Sequence, residues 1–138
     1  MTFDEWDHKL PNGFHDAEIS SLEIDYARGL MTLKMGLLTE VEQGEVDDRA
    51  EAIVSVFGLQ FCSIGAPFAT YPYQKRAAIT VSGDPAKSDH LPELDGLTPT
   101  FPKNTTCYRF FVHDWNSFIY IAAADVQVRW VGNNPVPV

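Results

Sequence analysis

The chain has 138 residues, the size of one ordinary domain, and carries 19 acidic against 10 basic residues, a formal net charge of −9 at pH 7. This charge disfavours nucleic acid and anionic membrane surfaces, which repel an acidic protein, and favours a basic protein as partner. The acidic opening lacks the basic start and apolar run of a secretory signal, and no stretch approaches about 18 consecutive apolar residues. We therefore expect a single domain over residues 1–138 that is cytoplasmic and contacts neither nucleic acid nor membrane.

The first third of the chain predicts a hairpin. Phe3 to Leu10 favours a short helix or an irregular segment, and from Ala17 onward apolar and polar residues alternate with the period of two that half-buried strands show. The turn of this hairpin is Ala27-Arg28-Gly29, whose glycine tolerates positive φ. Ile19 is out of phase with the apolar residues that follow it, so we predict a β-bulge at Ser20-Ser21.

The middle of the chain predicts shorter strands between loops. An acidic stretch from Glu40 to Asp48 is typical of a solvated loop, and a segment with two prolines and three aromatic residues, 65–73, is typical of a loop or a sheet edge. Ser82 to Thr106 is rich in Pro, Gly, Asp and Lys and indicates a long loop. The strands expected here are Ala50 to Phe57, Leu59 to Ile64 and Ala77 to Val81.

The final third predicts a second long hairpin, from Cys107 to Val112 and from Ser117 to Val131, around the turn Asp114-Trp115-Asn116. The last strand is apolar on both faces from Phe118 to Ala124, so this half should cross the middle of the sheet. The expected fold is mainly β: an antiparallel sandwich or a strongly curved, partly closed sheet built from two long hairpins, with little helix.

The two cysteines, Cys62 and Cys107, each stand in an apolar strand-like run. Buried thiols in a reducing compartment stay free, so we expect no disulfide between them.

Each of the four histidines has an aspartate as neighbour, in the pairs Asp7-His8, His15-Asp16, Asp89-His90 and His113-Asp114. A carboxylate orients an imidazole ring and raises its pKa, so such pairs suit metal sites and acid–base chemistry. His15 and His113 stand where turns meet strong strands, and with Asp16 or Asp114 as a third ligand they would suit Zn²⁺ or Fe²⁺ if the two hairpins converge. The interpretation that we favour is structural: each Asp caps a turn, each His bonds a backbone carbonyl, and no cofactor is expected.

Aromatic residues suggest a recognition surface. Trp115 and Phe118 stand beside Asn116, and Phe68, Tyr71 and Tyr73 lie in the proline-bearing loop. Plugging the ends of the β core is the alternative role for these rings. The acidic stretch has the same two interpretations, a docking site for a basic partner or a solvated loop; its carboxylates are Glu40, Glu42, Glu45, Asp47 and Asp48.

No complete catalytic motif accompanies these residues. The chain lacks a Gly-rich phosphate loop, a Gly-x-Ser-x-Gly elbow and a His-Glu-x-x-His zinc helix. The sequence therefore favours a function other than catalysis.

Both ends of the chain resemble small bacterial β-rich proteins of uncharacterised function, some of which are grouped with immunity proteins of bacterial toxin systems. The resemblance rests on the run 10–19, Leu-Pro-Asn-Gly-Phe-His-Asp-Ala-Glu-Ile, and on the closing strand from Asp114-Trp115-Asn116 to Trp130, and leaves 40–106 unmatched. It implies a protein that binds and neutralises a partner, and it carries over no catalytic residue.

Two hypotheses from different classes follow. The first is a non-enzymatic binding protein, immunity-like, that neutralises a basic partner protein as a monomer or a homodimer. The alternative is a small metal-dependent hydrolase or ligand-binding β barrel that uses the His-Asp pairs. Its residues, together with the aromatic recognition surface, make up the expected binding site: His15, Asp16, His113, Asp114, Trp115, Asn116, Tyr71 and Tyr73.

Overall fold

The computed structural model of the protein describes residues 1–39, 49–67, 76–84 and 96–132. These residues form one α-helix, a 3-10 helix at Thr98–Thr100 and eight strands. The helix is α1 (Phe3–Lys9), and the strands are β1 (Ala17–Asp25), β2 (Leu30–Leu38), β3 (Arg49–Phe57), β4 (Phe61–Ile64), β5 (Ile79–Gly83), β6 (Thr106–Val112), β7 (Ser117–Ala123) and β8 (Asp125–Trp130).

All eight strands belong to one antiparallel sheet with the open order β4-β7-β6-β5-β1-β2-β3-β8. The sheet curves strongly, because each strand at one end of the strand order is connected along the chain to a strand near the opposite end. β4 follows β3 after the bend at Gly58, and β8 follows β7 after Ala124. Hydrogen bonds from Ala124 N to Phe57 O (3.0 Å) and from Gln60 N to Ala122 O (2.8 Å) join the two bent strands across these bends.

The mainly β fold with little helix is confirmed, and the single sheet excludes the sandwich of two sheets. The two hairpins are β1–β2 and β6–β7. The bulge is confirmed as well: the register of β1 against β2 shifts between Ile19 and Ser21. β7 lies between β4 and β6, as the apolar residues on both of its faces predict, whereas β8 pairs, among the eight described strands, with β3 alone.

Several predicted boundaries are wrong. The fifth strand runs from Ile79 to Gly83 instead of Ala77 to Val81, because Ser82 and Gly83 pair with Phe111 and Phe110 of β6. Ser82 and Gly83 were therefore wrongly assigned to the long loop. β4 begins at Phe61, and the last strand is interrupted at Ala124. The acidic stretch from Glu40 to Asp48, and residues 68–73 of the proline-bearing loop, lie outside the described residues.

The helix α1 covers part of the core. Its seven residues are too few for an isolated helix to be stable, so packing and capping hold it in place. Thr2 and Glu5 form a capping box, and the buried ring of Trp6 donates from Nε1 to the carbonyl of Val126 at 2.7 Å. No helix within the described ranges is long and apolar enough to cross a membrane.

A group of aromatic rings fills the core beneath the helix. Phe3 stacks on Tyr108 with ring centroids 5.1 Å apart, and Phe14 and Phe110 meet Phe3 edge to face. All four rings are buried. Because Phe14 is fixed in this cluster, the turn that carries the neighbouring His15 and Asp16 is fixed as well.

Both cysteines are free, as expected. Cys107 is buried and Cys62 is half-buried, and they lie on β6 and β4, on opposite sides of β7.

Candidate functional site

A tight turn places His15 and Asp16 just before β1. Gly13 and Asp16 both have positive φ, 52° and 49°, and His15 N donates to Asn12 O at 3.1 Å. The Asp7 carboxylate secures this turn by accepting a hydrogen bond from Phe14 N at 2.8 Å. A positive φ is uncommon outside glycine, and aspartate is among the few residue types that tolerate it. The turn therefore depends on its Gly and its Asp.

Asp16 is the centre of a polar cluster. Its backbone N–H donates to Ser82 Oγ (3.1 Å), and its carbonyl accepts two hydrogen bonds from Arg49, from Nε at 3.2 Å and from Nη2 at 2.9 Å. Its carboxylate lies between the two imidazoles: Oδ2 is 3.2 Å from His15 Nε2, and Oδ1 is 3.7 Å from His113 Nε2. We call His15, Asp16, Ser82 and His113 the His-Asp cluster.

His113 enters this cluster from the end of β6. Its backbone N donates to Thr80 O at 2.9 Å, its Nε2 lies 2.8 Å from Ser82 Oγ, and its ring packs against Phe111 with centroids 5.3 Å apart. The structure thus brings His15, Asp16 and His113 together, and it adds Ser82, which sequence reasoning had placed in a loop. No sequence pattern indicates that Ser82 belongs to a strand, because Ser82 joins β5 only by pairing with Phe111 of β6.

The His-Asp cluster can share protons and donate or accept hydrogen bonds at the surface, where the His15 side chain is 68% exposed and the His113 side chain 40%. Ser82 and His113 have the spacing of a nucleophile and a base. However, Asp16 approaches the same Nε2 atom that meets Ser82, whereas in a Ser-His-Asp triad the carboxylate orients the ring through Nδ1. The arrangement is therefore better suited to recognition than to acyl transfer.

Asp114 does not join the cluster. It accepts hydrogen bonds from Thr80 N and from Arg76 Nη1, both at 2.8 Å, and so ties the β6–β7 turn to the start of β5. Asn116 occupies the left-handed region of that turn with φ 50°, and Trp115 N donates to Val112 O at 3.3 Å. These bonds give Asp114 the turn role of the structural interpretation.

Among the described residues, no group of three His, Cys, Asp or Glu side chains has the arrangement of a metal site. In the His-Asp cluster, the two imidazoles approach different oxygens of one carboxylate. This arrangement does not place all three groups around one metal ion. The metal site of the alternative hypothesis thus gains no support from these residues.

An aromatic surface adjoins the His-Asp cluster on the outer side of the sheet. The residues concerned lie on the side of β6 and β7 that faces away from the core, and we call them the outer aromatic face: the buried Arg109 and the half-buried Phe111, Phe118 and Tyr120. Phe111 meets Phe118 at a centroid distance of 5.3 Å, and Phe118 meets Tyr120 at 5.9 Å. The rings continue to His113, so the outer aromatic face and the His-Asp cluster are one continuous surface.

Arg109 lies across this face. Its guanidinium is 4.4 Å from the centroid of the Phe118 ring, and its Nε donates to Asp84 Oδ2 at 2.8 Å. Burial favours a lower pKa for Arg109, but the hydrogen bond and charge of Asp84 outweigh it, and the pKa is raised. Sequence reasoning missed Arg109, although one charged residue inside the apolar run Cys107 to Val112 was a signal for it.

Part of the outer face is covered by the chain itself. Phe101, from the segment after the 3-10 helix, packs with Cys107 and Ala122 in a small second cluster that Phe61 and Tyr120 join. Phe111 and Phe118 are outside this cluster and remain half-buried. The outer aromatic face therefore continues past the residues that cover it, toward His113.

Trp115, a further residue of the predicted site, does not belong to this surface; it lines a cavity beside β1 and β5. Tyr71 and Tyr73 lie outside the described residues, as does the Asp89-His90 pair. In the Asp7-His8 pair, His8 Nδ1 lies 2.7 Å from Asp4 O within α1, and this contact raises the pKa of His8.

Comparison with known proteins identifies no relative: no protein-family model, no curated protein and no solved structure matches the chain. The resemblance to immunity proteins consequently stays a prediction, and the site rests on its own geometry.

Proposed function

We propose that the protein is a non-enzymatic binding protein, and that the outer aromatic face with the His-Asp cluster is its recognition surface. The observation that carries the proposal is the run of rings formed by the half-buried Phe118 and Phe111 and the exposed His113, which continues past the segment that covers the rest of this face. An antiparallel sheet normally has a polar outer face when that face meets water. Aromatic rings in that position suit a partner that removes them from water.

The composition of this surface supports a protein as the partner. Aromatic residues and arginine are the residue types enriched at the centre of protein interfaces, where a few of them contribute most of the binding energy. The exposed imidazoles and the Asp16 carboxylate supply the polar rim that surrounds such a centre. The structure contains both parts in contact with each other.

The charge of the chain supports a basic partner. A net charge of −9 attracts a basic protein at long range and speeds association at low salt. Neutralisation of a basic toxin by an immunity-like protein is the specific form of the proposal. It rests on this charge and on the resemblance of the chain ends.

The proposal includes a cytoplasmic site of action and a monomer or homodimer as the binding form. Two free thiols fit a reducing compartment. Neither nucleic acid nor a membrane is proposed as partner, because the net charge is unfavourable for both.

The proposal is tested by affinity capture from the source cells followed by quantitative mass spectrometry. The unmodified protein is compared with the double variant Phe111→Ala/His113→Ala and with Tyr26→Ala. Tyr26 is 87% exposed at the β1–β2 turn, away from the proposed surface, and serves as the matched aromatic control. Circular dichroism establishes first that all three proteins fold.

We expect a basic protein to be captured in equimolar amount by the unmodified protein and by Tyr26→Ala. Its capture by the double variant should fall at least tenfold, since a central interface residue such as Phe111 contributes about 2 kcal/mol or more. Equal capture by the folded double variant would refute the proposed surface. Capture of no protein in stoichiometric amount would refute the proposed function.

A further inference from the structure

A cavity opens where β1 and β5 separate. These two strands pair only from Ala17↔Val81 to Ile19↔Ile79. The bulge that follows Ile19 turns β1 away, and among the described residues the rest of β1 pairs with β2 alone. A gap in the sheet is thus built into the strand that carries the bulge.

The gap contains a cavity of about 230 Å³. Its walls come from four strands and the β6–β7 turn, and they are mainly large apolar side chains: Ile19, Leu22, Ile64, Ile79, Trp115 and Ile119. An apolar cavity of about 150 Å³ is enough to hold benzene. The volume here is sufficient for the fused rings of a slightly larger aromatic molecule.

The rim of the cavity is polar. Ser20, Ser21 and Arg76 line it, and Arg76 is the charged residue among its described lining residues. Asp114 orients the guanidinium through the 2.8 Å contact to Nη1, and Thr80 N fixes Asp114 in turn. A guanidinium has five N–H donors, so one arginine can meet the carboxylate of a ligand as well as that of Asp114.

We propose that this cavity binds a small aromatic carboxylate, with its rings against Ile119 and Trp115 and its carboxylate at Arg76. The apolar walls with a single oriented cation match the anatomy of small-molecule sites, in which a few polar groups fix the orientation of a mostly apolar ligand. The site lies apart from the outer aromatic face, so it is independent of the proposed protein-binding function.

The test uses 2-naphthoic acid and its uncharged analogue 2-naphthalenemethanol as probes, with binding measured by titration calorimetry and by amide chemical shifts. Three variants are compared: Arg76→Gln removes the cation, Ala78→Phe fills the cavity from its rim, and Ala27→Phe makes the same change in the exposed β1–β2 turn. Amide spectra show whether each variant is folded.

We expect the acid to bind with a dissociation constant of about 1 mM or tighter and to shift amides of Ile19, Ile79 and Trp115. Arg76→Gln should weaken the acid about tenfold and leave the alcohol unchanged, because only the charge-assisted contact is lost. Ala78→Phe should abolish binding of both probes, and Ala27→Phe should change neither.

Three results would overturn the proposal. The first is that the acid does not bind the folded protein. The second is that folded Ala78→Phe binds the acid as tightly as the unmodified protein does. The third is that Arg76→Gln weakens binding of the acid and of the alcohol equally. The third result would show that Arg76 acts on the shape of the cavity instead of on the carboxylate.

Discussion

Asp16 has a positive φ, which few residue types tolerate, and its carboxylate lies beside the two imidazoles of the His-Asp cluster. Its φ of 49° disfavours residues with a Cβ unless, like Asp and Asn, they form local hydrogen bonds. We predict that Asp16→Ala lowers the free energy of unfolding by about 1–2 kcal/mol, whereas Asp16→Asn changes it by less than about 0.5 kcal/mol. Urea unfolding measures both. Equal stability of the two variants would show that the turn does not depend on the residue type at this position.

The Tyr108 ring lies so close to Gly83 that it leaves no room for a side chain there. A Cβ at this position would be 1.9 Å from the Tyr108 hydroxyl oxygen, and that ring is held between Phe3 and Phe110. We predict that Gly83→Ala destabilises the protein by about 2 kcal/mol or more through overpacking. Gly96→Ala is the control, since a Cβ there meets nothing within 4 Å, and it should lie within about 0.5 kcal/mol of the unmodified protein. A Gly83 variant as stable as the Gly96 control would contradict the packing described for Tyr108.

Burial raises the pKa of the Cys62 thiol to about 11 and also raises that of Cys107. Only about one Cys62 thiol in a thousand is then ionised at pH 8, and the thiolate is the reactive form. We predict that the folded protein reacts with Ellman's reagent at pH 8 at least about a hundred times more slowly than the chain unfolded in urea. The rate should rise with pH up to the raised pKa. Reaction of the folded protein at the unfolded rate would mean that the thiols are accessible.

The helix α1 depends on the hydrogen bond between Trp6 and β8. Trp6→Phe keeps most of the buried ring but leaves the Val126 carbonyl without this donor. We predict a loss of about 1–3 kcal/mol in the free energy of unfolding. Lys9→Ala, which removes only the cation 5.2 Å from the same ring, should change stability by about 1 kcal/mol or less. A harmless Trp6→Phe substitution would show that the contact contributes nothing.

Strands were predictable from sequence wherever one face is buried. The period of two identified β1 and β2, and the phase slip at Ile19 identified the bulge, because each pattern records burial within the strand itself. The position of β5 was not predictable, because Ser82 and Gly83 become strand residues through their partners in β6. The apolar run begins at Ala77, but pairing with β6 places the strand at Ile79 to Gly83.

The candidate site was predictable in part for the same reason. Turn positions before β1 and after β6 pointed to His15 and His113, and these residues do come together. Ser82 was missed because its strand was predicted to end at Val81, whereas it continues to Gly83. The sequence suggested Phe118 but not Phe111 as part of a recognition surface, since sequence does not show how much of an outer face its own chain covers.

At the scale of the whole molecule, one continuous sheet joins the first strand to the last. We predict a single cooperative unfolding transition, because β3–β4 and β7–β8 link the two ends of the strand order. Tryptophan fluorescence and far-ultraviolet circular dichroism should give the same midpoint in urea. Separate midpoints would contradict a single domain over residues 1–138.

The central claim is that the outer aromatic face with the His-Asp cluster binds a partner protein. Hydroxyl-radical footprinting of the protein, alone and with the captured partner, tests it most directly, because it reports the accessibility of individual aromatic and histidine side chains. We predict that the partner slows the oxidation of Phe111, Phe118 and His113 and leaves that of Tyr26 unchanged. Protection of Tyr26, with Phe111, Phe118 and His113 oxidised as in the free protein, would place the interface elsewhere and contradict the account.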